Sequence, residues 1–390
     1  MKKSRSLIVL AALLSAVGCG RPAGGEGTVC INPLEATVEV ASLDGYIEQV
    51  EYIPLSAEDS ASYVTRVRKV IPAGDRWVVL AGNLLVFDAG GRFERALGRT
   101  GRGPGEYVSL ADACVDASGR EVLAASMDKV LRYDVATGEF LGEIHPEGFE
   151  RRLIEEISPV PGGGFALFVA NPSEPGDFAT DHFCISVFDS RGRAVRQLYL
   201  RQDFIVPTSM IGACQFSRSW DGGTLVRPQE GENILWRLDA RGLSPECGIH
   251  FGDRNVPHRH FLDFGADAWV GFMRMWRSDY FKAPMFVHDT RRLLFFSAAG
   301  PQAVQYDFLI DRRSGKGIRW RMPADDGGRF ETMYCMASDE KSLYWVYSDY
   351  GECPDSDPAM HPLHRYLREH GAPVLSEDAN PVLVRVRFKL

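Results

Sequence analysis

The sequence predicts an all-β fold: a six-bladed β-propeller of four-stranded antiparallel blades, closed by an N-terminal strand. Two observations predict it. A strand ending in Asp, a turn containing Gly and a returning strand recur along the chain, and the last copy lacks one strand. In these turns Asp caps the backbone with its side chain and Gly accepts positive φ. The five turns are Asp88–Gly91, Asp134–Gly138, Asp189–Gly192, Asp239–Gly242 and Asp311–Gly315.

Residues 1–18 read as a signal peptide rather than as part of the fold. Lys2, Lys3 and Arg5 precede an apolar stretch, Leu7–Leu14, that is too short to span a bilayer. The stretch leads to Ala-Val-Gly-Cys at residues 16–19, which resembles the lipobox of bacterial lipoproteins. That resemblance implies cleavage before Cys19 and acylation of its thiol and amino group. The alternative is an ordinary secretory peptide with an incidental cysteine.

Residues 19–45 are predicted to be an acylated cysteine and a flexible tether, because Gly20–Gly27 contains mostly Gly, Pro and Ala. Residues 46–390 are predicted to form the ring. The full chain has a net charge of −8, and removal of the basic signal peptide makes it more acidic. An acidic chain argues against a nucleic-acid partner, which needs a basic face to neutralise phosphates. We therefore expect a membrane partner through the lipid anchor, and no nucleic acid.

Strand assignment leaves the sixth blade one strand short. Thr332–Ala337, Ser342–Ser348 and Pro381–Lys389 give it three strands, whereas Glu48–Ile53 near the start of the chain has no neighbour with which to pair. Pairing of Glu48–Ile53 with Pro381–Lys389 would close the ring and remove both open edges. An open β-sandwich is the alternative fold.

Three stretches resemble a known family. They are VEYIPL at Val50–Leu55, FDAGGRF at Phe87–Phe93 and GRTGRGPGEY at Gly98–Tyr107. They are similar to the six-bladed β-propeller lipoproteins of Gram-negative gut bacteria, which resemble NHL-type propellers. The resemblance is clear over Val50–Ile144 and reduces to blade periodicity beyond it. It implies a six-bladed fold and an envelope lipoprotein, and it brings no established catalytic residues.

The glycine-rich run Gly98–Tyr107 has two interpretations. Glycine amides can cradle a phosphate, but the run lacks the Gly-Lys-Ser/Thr ending of a phosphate loop. A tight crossing between blades, allowed by the glycines and stiffened by Pro104, is favoured. Four side chains of this loop are ligand-binding candidates: Arg99, Arg102, Glu106 and Tyr107.

Cysteine and histidine give no clear metal or disulfide site. Seven cysteines follow Cys19, and this odd number at irregular spacing argues against a disulfide framework. Cys114, Cys214 and Cys335 fall in the innermost strands, where a small buried hydrophobe is expected. His361 and His364 would share a face if Pro362–Glu369 is helical, so they are weak metal candidates near Cys353 and His370. No cofactor is predicted.

The long connections are predicted to lie together on one face of the ring. In an up-and-down blade the turns after the first and third strands share a face, and here these turns are short. The long connections on the other face carry aromatic and histidine ligand-binding candidates: Phe178, His182, Trp269, Trp276, Tyr280 and Tyr350. Because the tether is expected to enter at Glu48, this face is expected to point away from the membrane.

Two functions remain open. The first is an outer-membrane lipoprotein, facing the periplasm or the cell surface, that binds a glycan, a peptide or another envelope protein. The second is a lactonase-like hydrolase or a lyase with a metal in the central channel. The innermost strands offer Asp112, Asp116, Gln215 and Met333, a set too mixed and too apolar for a calcium site. Binding is therefore favoured, and no catalytic residue is assigned.

Overall fold

Six antiparallel sheets of four strands follow one another along the chain, as the sequence predicts. The structure, a computed structural model, describes residues 29–58, 60–64, 66–148, 154–168, 183–200, 215–228, 233–257, 260, 268–322, 333–348, 360–376 and 378–390, with the backbone alone at 183–184, 199–200 and 268–269. The innermost strands of consecutive blades contact one another, and that of blade 6 contacts that of blade 1. The fold is therefore a closed six-bladed propeller.

The strands of blades 1 to 3, from the axis outwards, have the following bounds. Blade 1 contains Lys69–Ala73, Arg76–Leu80, Leu84–Asp88 and Phe93–Leu97. Blade 2 contains Asp112–Val115, Glu121–Ser126, Lys129–Asp134 and Phe140–Ile144. Blade 3 contains Glu156–Pro159, Phe165–Phe168, Phe183–Phe188 and Ala194–Leu200.

Blades 4 to 6 follow the same order. Blade 4 contains Phe216–Arg218, Thr224–Val226, Ile234–Asp239 and Gly242–Ile249. Blade 5 contains Met285–Asp289, Leu293–Ala299, Gln305–Asp311 and Lys316–Arg321. Blade 6 contains Cys335–Ser338, Leu343–Tyr347, Val382–Phe388 and the N-terminal Ile47–Pro54.

The N-terminal strand closes the ring as predicted. Ile47–Pro54 pairs antiparallel with Val382–Phe388, in a register that sets Val50 opposite Val386. Two further short strands precede it. Cys30–Ile31 and Thr37–Glu39 pair in parallel with the outermost strands of blades 4 and 5.

These short strands lie inside residues 19–45, which the sequence assigns to the tether. The chain therefore joins the ring at the outer edge of blade 4, and not first at Glu48 as the sequence analysis expects. The orientation argued from entry at Glu48 loses its basis. We call residues 29–46 the strap.

In the described part of the chain, three helices and two 3₁₀ turns lie in or beside the ring. Helix α1 (Pro33–Ala36) belongs to the strap, α2 (Ala268–Trp276) lies in the connection between blades 4 and 5, and α3 (Pro362–Glu369) lies within blade 6. The 3₁₀ turns are Gly252–Arg254 and Pro301–Ala303, and Arg99–Thr100 pairs in parallel with Glu106–Tyr107. Within the described residues, no helix is long and apolar enough to cross a membrane.

The hydrophobic core consists of interfaces between adjacent blades. Successive side chains of a strand point to opposite faces, so each middle strand serves two interfaces. Val78 and Val86 of blade 1 pack against blade 2, whereas Val79 and Leu85 pack against blade 6. Burial on both faces explains why these strands read as nearly continuous apolar runs rather than as alternating ones.

The Asp–Gly turns form as predicted, and they also join blades. The Oδ1 atom of Asp88 accepts hydrogen bonds from the amides of Gly90 and Arg92, both at 2.9 Å. These bonds, led by that from Arg92, lower the pKa of the Asp88 carboxyl. Gly91 has φ +87°, and a Cβ there would lie 2.2 Å from the carbonyl oxygen of Pro54 at the end of the closing strand. Glycine is therefore required at Gly91 both for its backbone conformation and for the fit between blades 6 and 1.

Candidate functional site: the axial channel

The innermost strands of all six blades surround one cavity on the axis. Its volume is about 50 Å³, enough for a few water molecules. Arg68 and Lys69 of blade 1 and Arg218 of blade 4 give it a basic lining. The other polar or thiol side chains that line it are Cys114, Ser158, Ser217, His288, Cys335 and Ser338.

A cluster of three charged residues lies where the first strands of blades 1, 2 and 3 begin. The Nζ atom of Lys69 donates to both carboxylate oxygens of Asp112, at 2.9 and 2.8 Å. The Oδ2 atom of Asp112 also accepts from the amide of Ile157 in blade 3, at 3.0 Å. Asp112 thus links three blades at the edge of the channel.

Glu156 extends this network to blade 4. Its carboxylate accepts from the amides of Gln215, at 2.8 Å, and Phe216, at 3.0 Å. Burial raises the pKa of Glu156, and the nearby negative charge of Asp112 raises it further. The two backbone donors and Lys69 oppose that shift without cancelling it, so Glu156 holds its proton more tightly than an exposed glutamate.

Arg218 ends the first strand of blade 4 and reaches across the channel to blade 1. Its Nη1 atom donates to the carbonyl oxygen of Pro72 at 3.3 Å. Among the described residues no carboxylate forms an ion pair with it. A guanidinium has five N–H donors, so most of its hydrogen-bonding capacity is not used by the described part of the chain.

His288 lines the channel from blade 5 and is 7% exposed. Its Nε2 atom lies 3.0 Å from the carbonyl oxygen of Cys335, to which it donates as a neutral imidazole. Burial lowers the pKa of His288 to about 4. The imidazole of His288 is therefore neutral at physiological pH, and its hydrogen bond joins blades 5 and 6.

The channel thiols are buried and unreactive. Cys114 and Cys335 lie in the innermost strands, as the sequence predicts, and burial raises the pKa of each thiol well above its ordinary value. A thiol that stays protonated is a poor nucleophile and a poor metal ligand. Cys214 lies outside the described residues.

The contacts of the glycine-rich loop support its interpretation as a tight crossing between blades. Glu106 folds back on the loop, accepting from Arg99 at 2.6 Å and from the amide of Gly103 at 2.8 Å. The side chain of Tyr107 packs between blades 1 and 2 with 2% exposure, so its role there is packing. Of the four candidates, Arg99 and Arg102 are the exposed ones. None of the four lines the axial cavity.

The aromatic candidates divide into three groups. Trp276 and Tyr280 are half-buried beside α2, where Trp276 stacks on Phe272 with a centroid distance of 5.9 Å and Tyr280 contacts His260 at 5.5 Å. Trp269 lies in α2 with its backbone alone described. Phe178, His182 and Tyr350 lie outside the described residues, as does Cys19. The structure brings none of the described candidates to the channel.

His361 and His364 serve the packing of α3. His361 caps the helix by accepting from the amide of Leu363 through Nδ1, at 3.1 Å, and its Nε2 lies 3.4 Å from Asp307. His364 is buried edge-on against Tyr347. In the described part of the chain, no three His, Cys, Asp or Glu side chains are arranged to hold a metal ion.

Sequence reasoning missed the residues that define the channel: Lys69, Glu156, Arg218 and His288. A partial signal was present, because Lys69, Asp112 and Glu156 each begin the first strand of a blade. Charged residues at equivalent positions of a closed repeat converge on the axis. Arg218 and His288 do not begin the first strand of a blade, so no comparable pattern marks them in the sequence.

One comparison with a solved structure agrees with the fold, and a second structure is similar only in part. A protein of Bacteroides fragilis NCTC 9343, described as a predicted exported protein, is 18% identical over 91% of this chain and 98% of its own, with a TM-score of 0.67. The extracellular domain of a hybrid two-component system from B. thetaiotaomicron is 13% identical over 75% of this chain and 34% of its own, with a TM-score of 0.42.

A search of curated proteins finds no match. A family model described as a domain of unknown function, DUF4934, matches residues 29–387, which include the strap and all six blades. The chain therefore belongs to the DUF4934 family.

Proposed function

We propose that this chain is an exported lipoprotein, anchored through Cys19, whose propeller binds a small ligand or the end group of a larger one in the axial channel. The observation that carries the proposal is the cavity enclosed by all six innermost strands, with basic and hydroxyl side chains on its wall. Small-molecule sites are typically concave, mostly apolar and supplied with a few polar groups. The proposed ligand is a glycan, a peptide or an envelope protein.

Binding is favoured over catalysis because the channel's titratable groups are already engaged. Asp112 accepts from Lys69 and Ile157, Glu156 accepts from backbone amides, and His288 donates to a carbonyl. A general acid or base must exchange a proton with the substrate, and these groups use their positions to join blades. The described residues therefore give no support to the hydrolase or lyase alternative.

Export is supported by the sequence of residues 1–19 and by the description of the B. fragilis structure. Cys19→Ala should leave the precursor uncleaved by the lipoprotein signal peptidase and should abolish labelling by a palmitate analogue. Two or more acyl chains anchor a protein firmly, so the wild type should stay with the outer-membrane fraction. Equal labelling of the variant would rule out the anchor.

The binding site is tested with Ser217→Leu, which fills the channel from blade 4, and with Ser244→Leu, a matched change on an exposed position of the same blade. Titration calorimetry would use galacturonate, a dipeptide with a free carboxylate, inorganic phosphate and glucose. At least one probe should bind, and only Ser217→Leu should abolish that binding while retaining the β-sheet circular dichroism. Binding that survives Ser217→Leu, or no binding by any probe, would reject the axial site.

A further inference from the structure

The axial cavity has a basic wall within an acidic protein. The chain carries a net charge of −8, whereas three of the side chains that line the cavity are cationic: Arg68, Lys69 and Arg218. No carboxylate is among the lining residues. The nearest partly neutralising group is Asp112, which is bound to Lys69. The cavity thus favours an anion, against the charge of the protein as a whole.

The three cations differ in how fully the protein satisfies them. Arg68 donates to the carbonyl oxygens of Leu110 and Ala111, and Lys69 is paired with Asp112. Within the described residues, Arg218 has one hydrogen bond, the long one to Pro72, and no ion pair with a carboxylate. Of the three, Arg218 therefore has the most capacity for a ligand.

Arg218 and Lys69 act on the same part of the channel. Burial raises the pKa of the Cys114 thiol, and the positive charges of Lys69 and Arg218 both oppose that rise. Cys114 belongs to blade 2, so cations from blades 1 and 4 lie near one thiol on the axis. An anion beside Cys114 would be attracted by both, and the carboxylates of Asp112 and Asp116 would partly offset that attraction.

Size and geometry narrow the kind of anion. A volume of about 50 Å³ admits a group of a few heavy atoms. A guanidinium presents two parallel N–H donors that match the two oxygens of a carboxylate. A phosphate presents matching oxygens to a guanidinium as well, but a carboxylate is the smaller group and so fits the cavity better.

We infer that the axial channel binds the carboxylate of a small acid or of an acidic end group, with Arg218 as its ion-pair partner and Ser217 beside it. This inference rests on the proposed axial site and names its ligand chemistry. The carboxylate belongs either to a free small acid, to a sugar acid or to a peptide C-terminus. All three present the same two oxygens to Arg218.

The test measures the affinity of acetate, galacturonate, a dipeptide with a free carboxylate, phosphate and glucose at low ionic strength. Arg218→Gln keeps an amide donor for Pro72 but removes the charge. Arg291→Gln is the matched control, because Arg291 is exposed, is paired with Glu340 and does not line the cavity. We expect carboxylate probes to bind the wild type, with at least a tenfold weaker affinity in Arg218→Gln and no change in Arg291→Gln.

The three carboxylate probes distinguish the source. Acetate binding as tightly as the others assigns a free small acid, whereas preference for galacturonate or the dipeptide assigns a sugar acid or a peptide end. Carboxylate binding that is equal in wild type and Arg218→Gln overturns the inference. Binding of phosphate or glucose that is tighter than binding of the carboxylate probes also overturns it. If Ser217→Leu still abolishes that binding, the axial site stands without its carboxylate chemistry. If Ser217→Leu has no effect, or no probe binds, both proposals fail.

Discussion

The two halves of the ring contain blades of the same four-stranded type, but the N-terminal segment pairs with only one of the halves. In blades 1 to 3 the outermost described strand is the fourth one of the blade. Blades 4 and 5 each carry an added parallel strand from the strap, and blade 6 takes its fourth strand from residues 47–54. The comparison shows that blades 1 to 3 are each built from one continuous stretch of chain, whereas blades 4 to 6 also pair with a distant segment.

The strap is joined to blades 4 and 5 by specific bonds. The amide of His250 donates to the carbonyl oxygen of Ile31 at 2.9 Å, and Arg319 donates to the carbonyl oxygen and hydroxyl of Thr37 at 2.9 and 3.1 Å. Ile31 and Leu34 pack against the core between blades 4 and 5. We therefore expect the strap to stabilise its own half of the ring more than blades 1 to 3.

Deletion of residues 1–55 should have the largest effect. It removes the closing strand and the buried side chains of Leu43, Ile47 and Ile53. Burial of one such side chain contributes about 1.5–3 kcal/mol, and the total is comparable with the whole stability of a domain, about 5–15 kcal/mol. Calorimetry should show no cooperative unfolding transition. Deletion of residues 1–28 is the control, and a normal transition in the longer deletion would refute closure.

Deletion of residues 1–42 should have an intermediate effect, because it removes the strap strands and keeps the closing strand. We expect a loss of about 2–4 kcal/mol in the free energy of unfolding, from the partly buried Ile31 and Leu34 and the buried Thr37. Hydrogen exchange should rise in blades 4 and 5 and stay unchanged in blades 1 and 2. A uniform rise around the ring would contradict the division into two halves.

The Asp–Gly turns allow a matched comparison between the halves. Asp311 of blade 5 is buried and accepts from Arg292 at 2.7 Å and from the amide of Arg313 at 2.7 Å, whereas Asp88 of blade 1 is partly exposed. Asp311→Ala should cost about 2–3 kcal/mol and Asp88→Ala about 1 kcal/mol, since a charged buried bond is worth more than an exposed one. Chemical denaturation measures both. Equal costs would show that burial by the surrounding blade is unimportant.

The last effect concerns pH at the junction of blades 3 and 4. The pKa of Glu156 is raised from 4.5 to about 7 in the folded protein, so the folded state holds this proton more tightly than the unfolded state. The resulting stabilisation is complete below pH 4.5 and is lost as pH rises through about 7. Glu156→Gln stays neutral, so its free energy of unfolding relative to wild type should increase between pH 5 and pH 8. Glu340→Gln on the surface is the control, and parallel pH profiles would contradict the assignment.

The sequence predicted the blades well because their determinants are local. Asp88 caps its own turn and Gly91 adopts its own backbone conformation, so both can be read within a few residues. Counting the strands predicts the closing strand, because blade 6 otherwise has no fourth strand to pair with Val382–Phe388. The strap was missed because strands of two or three residues in parallel pairing carry no local pattern.

The candidate site was harder to predict than the fold. Whether Lys69, Arg218 or His288 faces the axis depends on how each blade is tilted in the closed ring, which no local pattern encodes. Tyr107, by contrast, is a ligand-binding candidate because it lies in the glycine-rich loop, but its side chain packs in the core between blades 1 and 2. His361 and His364 have the helical spacing that the sequence suggests, but in the structure this spacing serves the capping and packing of α3.

Closure by the N-terminal strand also sets the order of folding. Glu51 and Arg385, which face each other in blade 6, are 334 positions apart in the sequence. At about 5–20 residues per second of synthesis, the first of these strands waits roughly 17–70 s for its partner. During that interval its edge is open to pairing with another chain.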